Sequence, residues 1–253
     1  MRSQQIIQVV TAVAVAAIVP AAAQATPSTI YWAPSVATCQ AFGVPHITYD
    51  TYASRTGAYP IDTGLTVGLL PGNKVQAEAG FDLLLPGQKP TQFYVNGKVC
   101  IPEQSLGAGA PGISFGMYTI GFKKDVTSYN VLHVMVQKSL PVGGSISGGI
   151  YMGTNDALFT NSDGDVKKTG LMAGWVSPDI KLGLKGLSKI NIIGDVMTGK
   201  NILGGGGAGL NLYFNDYIAL IVGPVFFVDK ALQPGGARML WTTQIDVDIP
   251  LGR

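Results

Sequence analysis

Apolar and polar residues alternate in short runs from His46 to Ile249, and no stretch keeps a persuasive helical period. The alternation predicts twelve strands, near 46–53, 63–70, 74–85, 91–101, 112–122, 128–139, 145–153, 168–177, 188–198, 205–214, 217–229 and 238–249. Many are about ten residues long, the length with which a tilted strand crosses a bilayer.

The stretch "VQAEAGFDLLLPGQKPTQFYVNGK", residues 75–98, shows the pattern most clearly. With Gln88 at the centre of its turn, Asp82 pairs with Tyr94 and Glu78 with Lys98, all on one face. The opposite face carries Val75, Ala77, Ala79, Phe81 and Leu83 on one strand and Phe93, Val95, Gly97, Val99 and Ile101 on the other. That is more apolar surface than a water-facing sheet tolerates. Strand six sets Leu132, Val134 and Val136 against His133 and Gln137, and strand nine sets Ile190, Ile192 and Val196 against Lys189, Asn191 and Asp195. Strand ten sets Leu210 and Leu212 against Asn211 and Tyr213, and strand twelve sets Trp241, Ile245 and Val247 against Gln244, Asp246 and Asp248. Strand eleven, "YIALIVGPVFFVD", is apolar on both faces, so its inner face should pack against something, with the segment before strand one as the candidate. Pro224 removes a ladder donor there and suggests a bulge.

Connections after even-numbered strands include the short turns Pro71-Gly72-Asn73, Pro141 to Gly144 and Asn215-Asp216, whereas the longest hydrophilic loop, 154–167, follows an odd-numbered one. Aromatic residues gather near strand ends: Tyr49 and Tyr52, Phe93 and Tyr94, Phe122, Tyr129, Tyr151, Trp175, Tyr213, Phe214, Tyr217 and Trp241. Rings at two levels would make the girdles of a membrane barrel.

Composition sharpens this picture. Only 13% of residues are charged and 34 are glycine, unusual for a soluble domain. The formal net charge of +2 gives no reason to expect nucleic acid. Arg2, the apolar stretch Ile6 to Val19 and Ala23-Gln24-Ala25 make up a secretory signal peptide, residues 1–25. Beyond it no apolar run reaches 18 residues, so no membrane helix is expected. A poorly charged, exported, glycine-rich chain without spanning helices suits a closed sheet in lipid. The expected organisation is a signal peptide (1–25), a leader or plug segment (26–45) and a barrel (46–253). Cys39 and Cys100 fit no metal spacing; in an exported chain they either form a disulfide or remain two buried thiols.

With its signal peptide, alternating segments, uneven connections and glycine-aromatic strands such as "GGGGAGLNLYFNDYIALIVGPVFFVD", the chain resembles bacterial outer-membrane β-barrel proteins of the porin-like kind over residues 46–249. The resemblance implies an all-β, closed antiparallel up-and-down transmembrane barrel in the outer membrane. Its partners would be outer-membrane lipid, the barrel-assembly machinery and small polar solutes, passing without a cofactor. One departure is the end of the chain, Ile249-Pro250-Leu251-Gly252-Arg253, where such barrels usually finish on an aromatic residue.

The candidate lumen residues are Glu78, Asp82, Tyr94 and Lys98 in the opening hairpin, then His133, Gln137, Lys189, Asn191 and Asp195, and finally Asn211, Tyr213, Gln244, Asp246 and Asp248. Charged groups on such a wall either tune solute selectivity or neutralise one another in a filled barrel. A hydrolase would need a serine beside His133; Ser114 and Ser147 are the candidates, but no Gly-x-Ser-x-Gly supports them. His133 reads as a wall residue and the chain as no enzyme. Asp156, Asp163 and Asp165 lack a calcium-loop pattern and read as a solvated turn. Gly204 to Gly207 precede no helix or Lys-Ser/Thr, so no phosphate loop is expected. The leading expectation is passive passage of small hydrophilic solutes. A non-conducting structural or adhesive barrel, a lumen hydrolase and a soluble exported sandwich are its rivals.

Overall fold

The computed structural model describes residues 29–55, 61–85 and 92–251. The expected signal peptide, the first leader residues and the turn around Gln88 lie outside the described residues. The strands are β1 (Pro45–Ala53), β2 (Ile61–Gly68), β3 (Gln76–Leu85), β4 (Gln92–Ile101), β5 (Gly112–Ile120) and β6 (Val131–Leu140). They continue as β7 (Gly144–Met152), β8 (Thr169–Val176), β9 (Lys189–Met197), β10 (Gly205–Tyr213), β11 (Ile218–Phe227) and β12 (Met239–Asp248). Each pairs antiparallel with its sequence neighbours, and β1 pairs with β12 from His46↔Asp248 to Ala53↔Trp241. The fold is therefore all-β: a closed, antiparallel, up-and-down barrel of twelve strands. Among the described residues no helix is long and apolar enough to cross a membrane, which leaves crossing by strands open.

The opening hairpin pairs Glu78 with Lys98 and Asp82 with Tyr94, the register expected from its polar pattern. Several strand ends shift by one to three residues from the expected ranges, most informatively at β2 and β6. β2 begins and ends two residues early, and its far end is held by Gly43, whose N–H donates to the Gly68 carbonyl at 2.9 Å. β6 starts at Val131 because the preceding residues form a tight turn of their own, in which the Lys123 carbonyl accepts from Val126, Thr127 and Ser128. Asn130 leaves that turn with φ 47.

The bulge expected at Pro224 is absent. β11 keeps one register with β12 from Ile218↔Val247 to Phe226↔Met239, and its pairs with β10 keep register on both sides of the proline. The register shift lies instead between β4 and β5, where Val95 pairs with Ile120 but Gly97 pairs with Met117. The extra β5 residue includes Thr119 at φ 48, a left-handed conformation, and the Asn96 side chain accepts its N–H at 2.9 Å. The extra residue re-aims the end of the strand: Tyr118 stays on the inner face with Ser114 and Gly116, and Ile120, which plain alternation would turn inward, joins Val95 outside.

Outward positions are largely apolar. Ile47, Val99, Phe115, Val136, Ile150, Leu171, Val196, Leu210 and Ile245 are all exposed, and they come from strands all round the barrel. Of the twelve aromatic residues near strand ends, seven are exposed and five turn inward. Tyr94, Tyr151 and Tyr213 are buried, because neighbouring strand positions point to opposite faces. The exposed rings still form two levels, with Phe93, Phe122, Phe226 and Trp241 toward the longer loops and Trp175, Phe214 and Tyr217 toward the turns.

The core lies inside the barrel, and the chain before β1 supplies much of it. Ile30, Tyr31 and Val36 pack with Ile193, Ile221, Val225, Phe227 and Leu240. This answers the two-sided apolar character of β11, whose inner face meets residues 30–36. Tyr31 lies so close to β10 that a Cβ at Gly207 or Gly209 would come within 2.9 or 2.8 Å of its ring. The glycine run thus opens a seat for an aromatic ring. Cys39 and Cys100 form a disulfide with Cα atoms 5.9 Å apart, which ties the segment to the end of β4. The loop from 153 to 168 does more than solvate. Its aspartates are exposed and pair with Lys167, Lys168 and Lys200, but Phe159 is fully buried between Tyr129 and the inner cluster.

Two outcomes follow from these ties. The disulfide closes a loop of 61 residues, so Cys39→Ser/Cys100→Ser should lose about 4 kcal/mol of stability on a chain-entropy basis. A lower thermal midpoint in detergent, unchanged by reductant, is the measurement. Glu103, in the β4–β5 turn, accepts from Lys138 Nζ at 2.6 Å and from the Ser139 N–H at 3.0 Å, and these partners hold its carboxyl below the usual range. Its contribution is present above the ordinary glutamate pKa and is lost as pH falls through the depressed one. Both groups meet water, so Glu103→Gln should remove no more than about 1 kcal/mol at neutral pH and less in acid, read from midpoints across the acid range.

Candidate functional site

Residues 29–43 divide the lumen. Beginning at the turn end of the barrel, Phe42 bridges to Gly68 on β2. The Gln40 N–H donates to Glu78 on β3 at 2.6 Å, and its side-chain amide donates to Asp248 on β12 at 2.8 Å. Cys39 is bonded to β4, Ser114 on β5 donates to the Val36 carbonyl, and Gln137 on β6 accepts the Ala37 N–H at 2.8 Å. The segment thus sweeps across the turn end beneath β2 to β6. It then rises along the opposite wall, where one carboxylate organises it. Asp195 on β9 accepts from the backbone N–H groups of Tyr31, Trp32 and Ala33 at 2.9–3.0 Å and from Ser35 Oγ at 2.8 Å. Gln244 donates to the Tyr31 carbonyl, Tyr31 Oη to Pro224 and Trp32 Nε1 to Leu203.

What this segment leaves open is a cavity of about 1040 Å³, lined by β1 to β6 and β12, by the loops around Leu203 and Gln233, and by Thr29, Tyr31, Trp32 and Pro34. It faces the end with the longer loops. Its lower wall is a layer of paired charges. His46 stands between Asp246, at 3.3 Å from Nε2, and Asp248, at 2.9 Å from Nδ1. Lys98 lies 3.3 Å from Glu78. Those pairs sit directly above Gln40, which binds Glu78 and Asp248 in turn, so the floor of the chamber and the internal segment form one network.

The fourteen lumen candidates separate into three groups. Glu78, Asp82, Tyr94, Lys98, His133 and Asp246 line the chamber. Gln137, Asp195, Gln244 and Asp248 hold the internal segment. Lys189, Asn191, Asn211 and Tyr213 gather at the turn end, away from both. There Asn191 and Lys189 reach Asp179 at 3.0 and 3.1 Å, Lys189 lies over the Tyr213 ring, and Asn211 donates to Tyr213 Oη. Partial burial works to raise the Asp179 pKa, but the hydrogen bonds from Asn191 and Lys189 outweigh it and leave the carboxyl lowered.

His133 carries no hydrogen bond at either ring nitrogen. It packs against Tyr118, ring centres 5.6 Å apart, and opposite Gly116, where a Cβ would come within 2.4 Å of the imidazole. Ser114 donates to the Val36 carbonyl instead of to this ring, and Ser147 pairs in register with Gln137, four residues along β6.

Sequence reasoning missed His46, Asp50, Tyr52 and Asp62. Asp50 and Asp62 are register partners on β1 and β2, and Asp82 on β3 stands diagonally from Asp62, two positions from its partner Leu84. The signal was available. "HITYDTY" places His46, Thr48, Asp50 and Tyr52 on one face by the same period that identified Glu78 and Asp82.

A scan against protein-family models finds no match for this chain, and a search of curated proteins finds no similar sequence.

Asp195→Ala strands three backbone donors and a hydroxyl inside the barrel, at a cost of about 3–5 kcal/mol if the segment stays seated. The expected response is local release. In an Ala33→Cys background, where the new thiol is fully buried, Asp195→Ala should raise maleimide labelling at least tenfold, and Asp195→Asn, which keeps an acceptor, should raise it less.

Proposed function

We propose that this chain is an exported outer-membrane β-barrel whose porin-like lumen works as a solute vestibule, held shut against free flow at rest by residues 29–43. Small hydrophilic solutes enter from the loop end, occupy the chamber and pass only when the floor network opens. A closed sheet supports the membrane assignment, because it leaves no backbone edge unpaired in hydrocarbon. So do its largely apolar exterior and two levels of exposed rings. Outer-membrane lipid and the barrel-assembly machinery are the partners this reading requires, and export through residues 1–25 is part of it. No cofactor and no covalent chemistry is assigned, since passage needs neither.

The observation that carries the vestibule is the half-filled lumen: one wall is packed against the internal segment and the other encloses a chamber of about 1040 Å³ whose lining mixes carboxylates with aromatic and apolar side chains. The density of bonds to that segment, with a disulfide among them, favours a second reading, a permanently filled barrel that serves the envelope structurally.

Refolded protein should show heat-modifiable migration and partition with outer-membrane fractions. In planar bilayers the oxidised wild type should be nearly silent, whereas a variant lacking residues 26–40 should give steady conductance steps. Steps of equal size from both proteins would mean the segment does not close the lumen. Silence from both would make the barrel a structural one.

A further inference from the structure

The chamber has an uncompensated charge pattern that passage alone does not require. Asp50, Asp62 and Asp82 come from three adjacent strands onto one wall, and Asp246 stands beside them on β12. Asp50 and Asp62 are directly opposed, a pairing that sets Cα atoms about 4.5–5.5 Å apart, and Asp82 and Asp246 stand diagonally from them, so neighbouring carboxylates on this wall repel one another. Among the described residues no lysine or arginine forms an ion pair with Asp50, Asp62 or Asp82. Their partners are neutral: Thr48 donates to Asp50 and Asn96 donates to Asp82. Asp62 Oδ1 has no partner, and neither does Oδ2 of Asp246, a residue only 3% exposed. His133, 5% exposed and lining the same space, is unpartnered at both nitrogens. Buried polar atoms without partners are costly, and several around one cavity point to a ligand that completes them.

The remainder of the lining selects the ligand's class. Tyr52, Tyr94 and Tyr118 face the chamber alongside Trp32, which meets Tyr52 edge-on at 5.8 Å between ring centres. Leu84 and Met197 add apolar surface to the same lining. Such walls attract a cation through their faces and an apolar body through contact. A bare metal ion is poorly served, because among the described residues no three His, Cys, Asp or Glu are placed to hold one. The volume suits a molecule rather than an ion.

We propose that the chamber binds a small organic cation, an ammonium or guanidinium group on an apolar or aromatic body, with its charge between Asp50, Asp62 and Asp82 and its body against the tyrosine and tryptophan rings. The inference deepens the vestibule reading by naming the class of solute. It rests on that reading for the route of entry but not for the binding itself.

Titration calorimetry of the folded, oxidised full-length barrel in detergent tests it, with 2-phenylethylammonium as probe and 2-phenylethanol as its uncharged counterpart. The ammonium should bind, the alcohol should bind at least tenfold more weakly, and Asp50→Asn/Asp62→Asn should weaken the ammonium at least tenfold. The exposed turn variant Asp216→Asn should leave binding unchanged, and heat-modifiable migration confirms that each variant folds. Equal binding of amine and alcohol, survival of amine binding in the double variant, or no heat from the amine would each overturn the proposal. Calcium binding that is lost in the double variant, without amine binding, would overturn it in favour of a metal site. Bilayer conductance is a separate readout. A barrel that binds the amine yet never conducts keeps this inference and loses the passage, while one that conducts and ignores the amine loses this inference alone.

Discussion

The ladder between β1 and β12 is the constraint on which the other features depend. Without it the first and last strands would each expose a row of unpaired N–H and C=O groups, an edge that no lipid could satisfy and that would invite pairing between molecules. With it, every strand has two neighbours, and inside and outside become distinct environments. Period-two geometry then divides each strand's residues between them. The same closure brings Asp246 and Asp248 on β12 beside His46 on β1, so the seam of the barrel is also one side of its charged floor.

A closed barrel of this size leaves an interior that its own side chains do not fill. Here the chain before β1 supplies the missing volume, and it does so asymmetrically. Its apolar residues go to the wall formed by β9 to β12, where strand eleven presents Ile221, Val225 and Phe227 inward. Its backbone donors go to carboxylates, above all Asp195, which replaces water for several N–H groups at once. Segment and wall are therefore complementary in polarity. The half of the lumen that receives no segment keeps its carboxylates facing open space.

Small residues make the close approaches workable. Gly207 and Gly209 admit the Tyr31 ring, and Gly116 admits the His133 imidazole. The bulge opposite Asn96 acts on the end of β5, leaving Tyr118 on the inner face beside His133 and turning Ile120 to the outer face. Pro224, by contrast, disturbs no register, and its carbonyl accepts the Tyr31 hydroxyl.

The sequence by itself determined the strands, their number and the face on which Glu78, Asp82, Lys98, Asp195 and Asp246 lie, because a strand's two faces are written in every second residue. It also determined the register of the opening hairpin, where oppositely charged and polar residues align across one turn, and the need for β11 to have an inner partner. Grouping was another matter. That Asp195 and Gln244 serve the internal segment, that Asp82 and Asp246 serve the chamber, and that Lys189 and Asn211 belong to neither depends on the path of residues 29–43 through the lumen. Contacts at separations of more than 150 residues, such as those of Tyr31 and Ala33 with Asp195, leave no periodic mark in the chain. Only the closed barrel, by bringing first and last strands together around that segment, decided which inward residues would share a site.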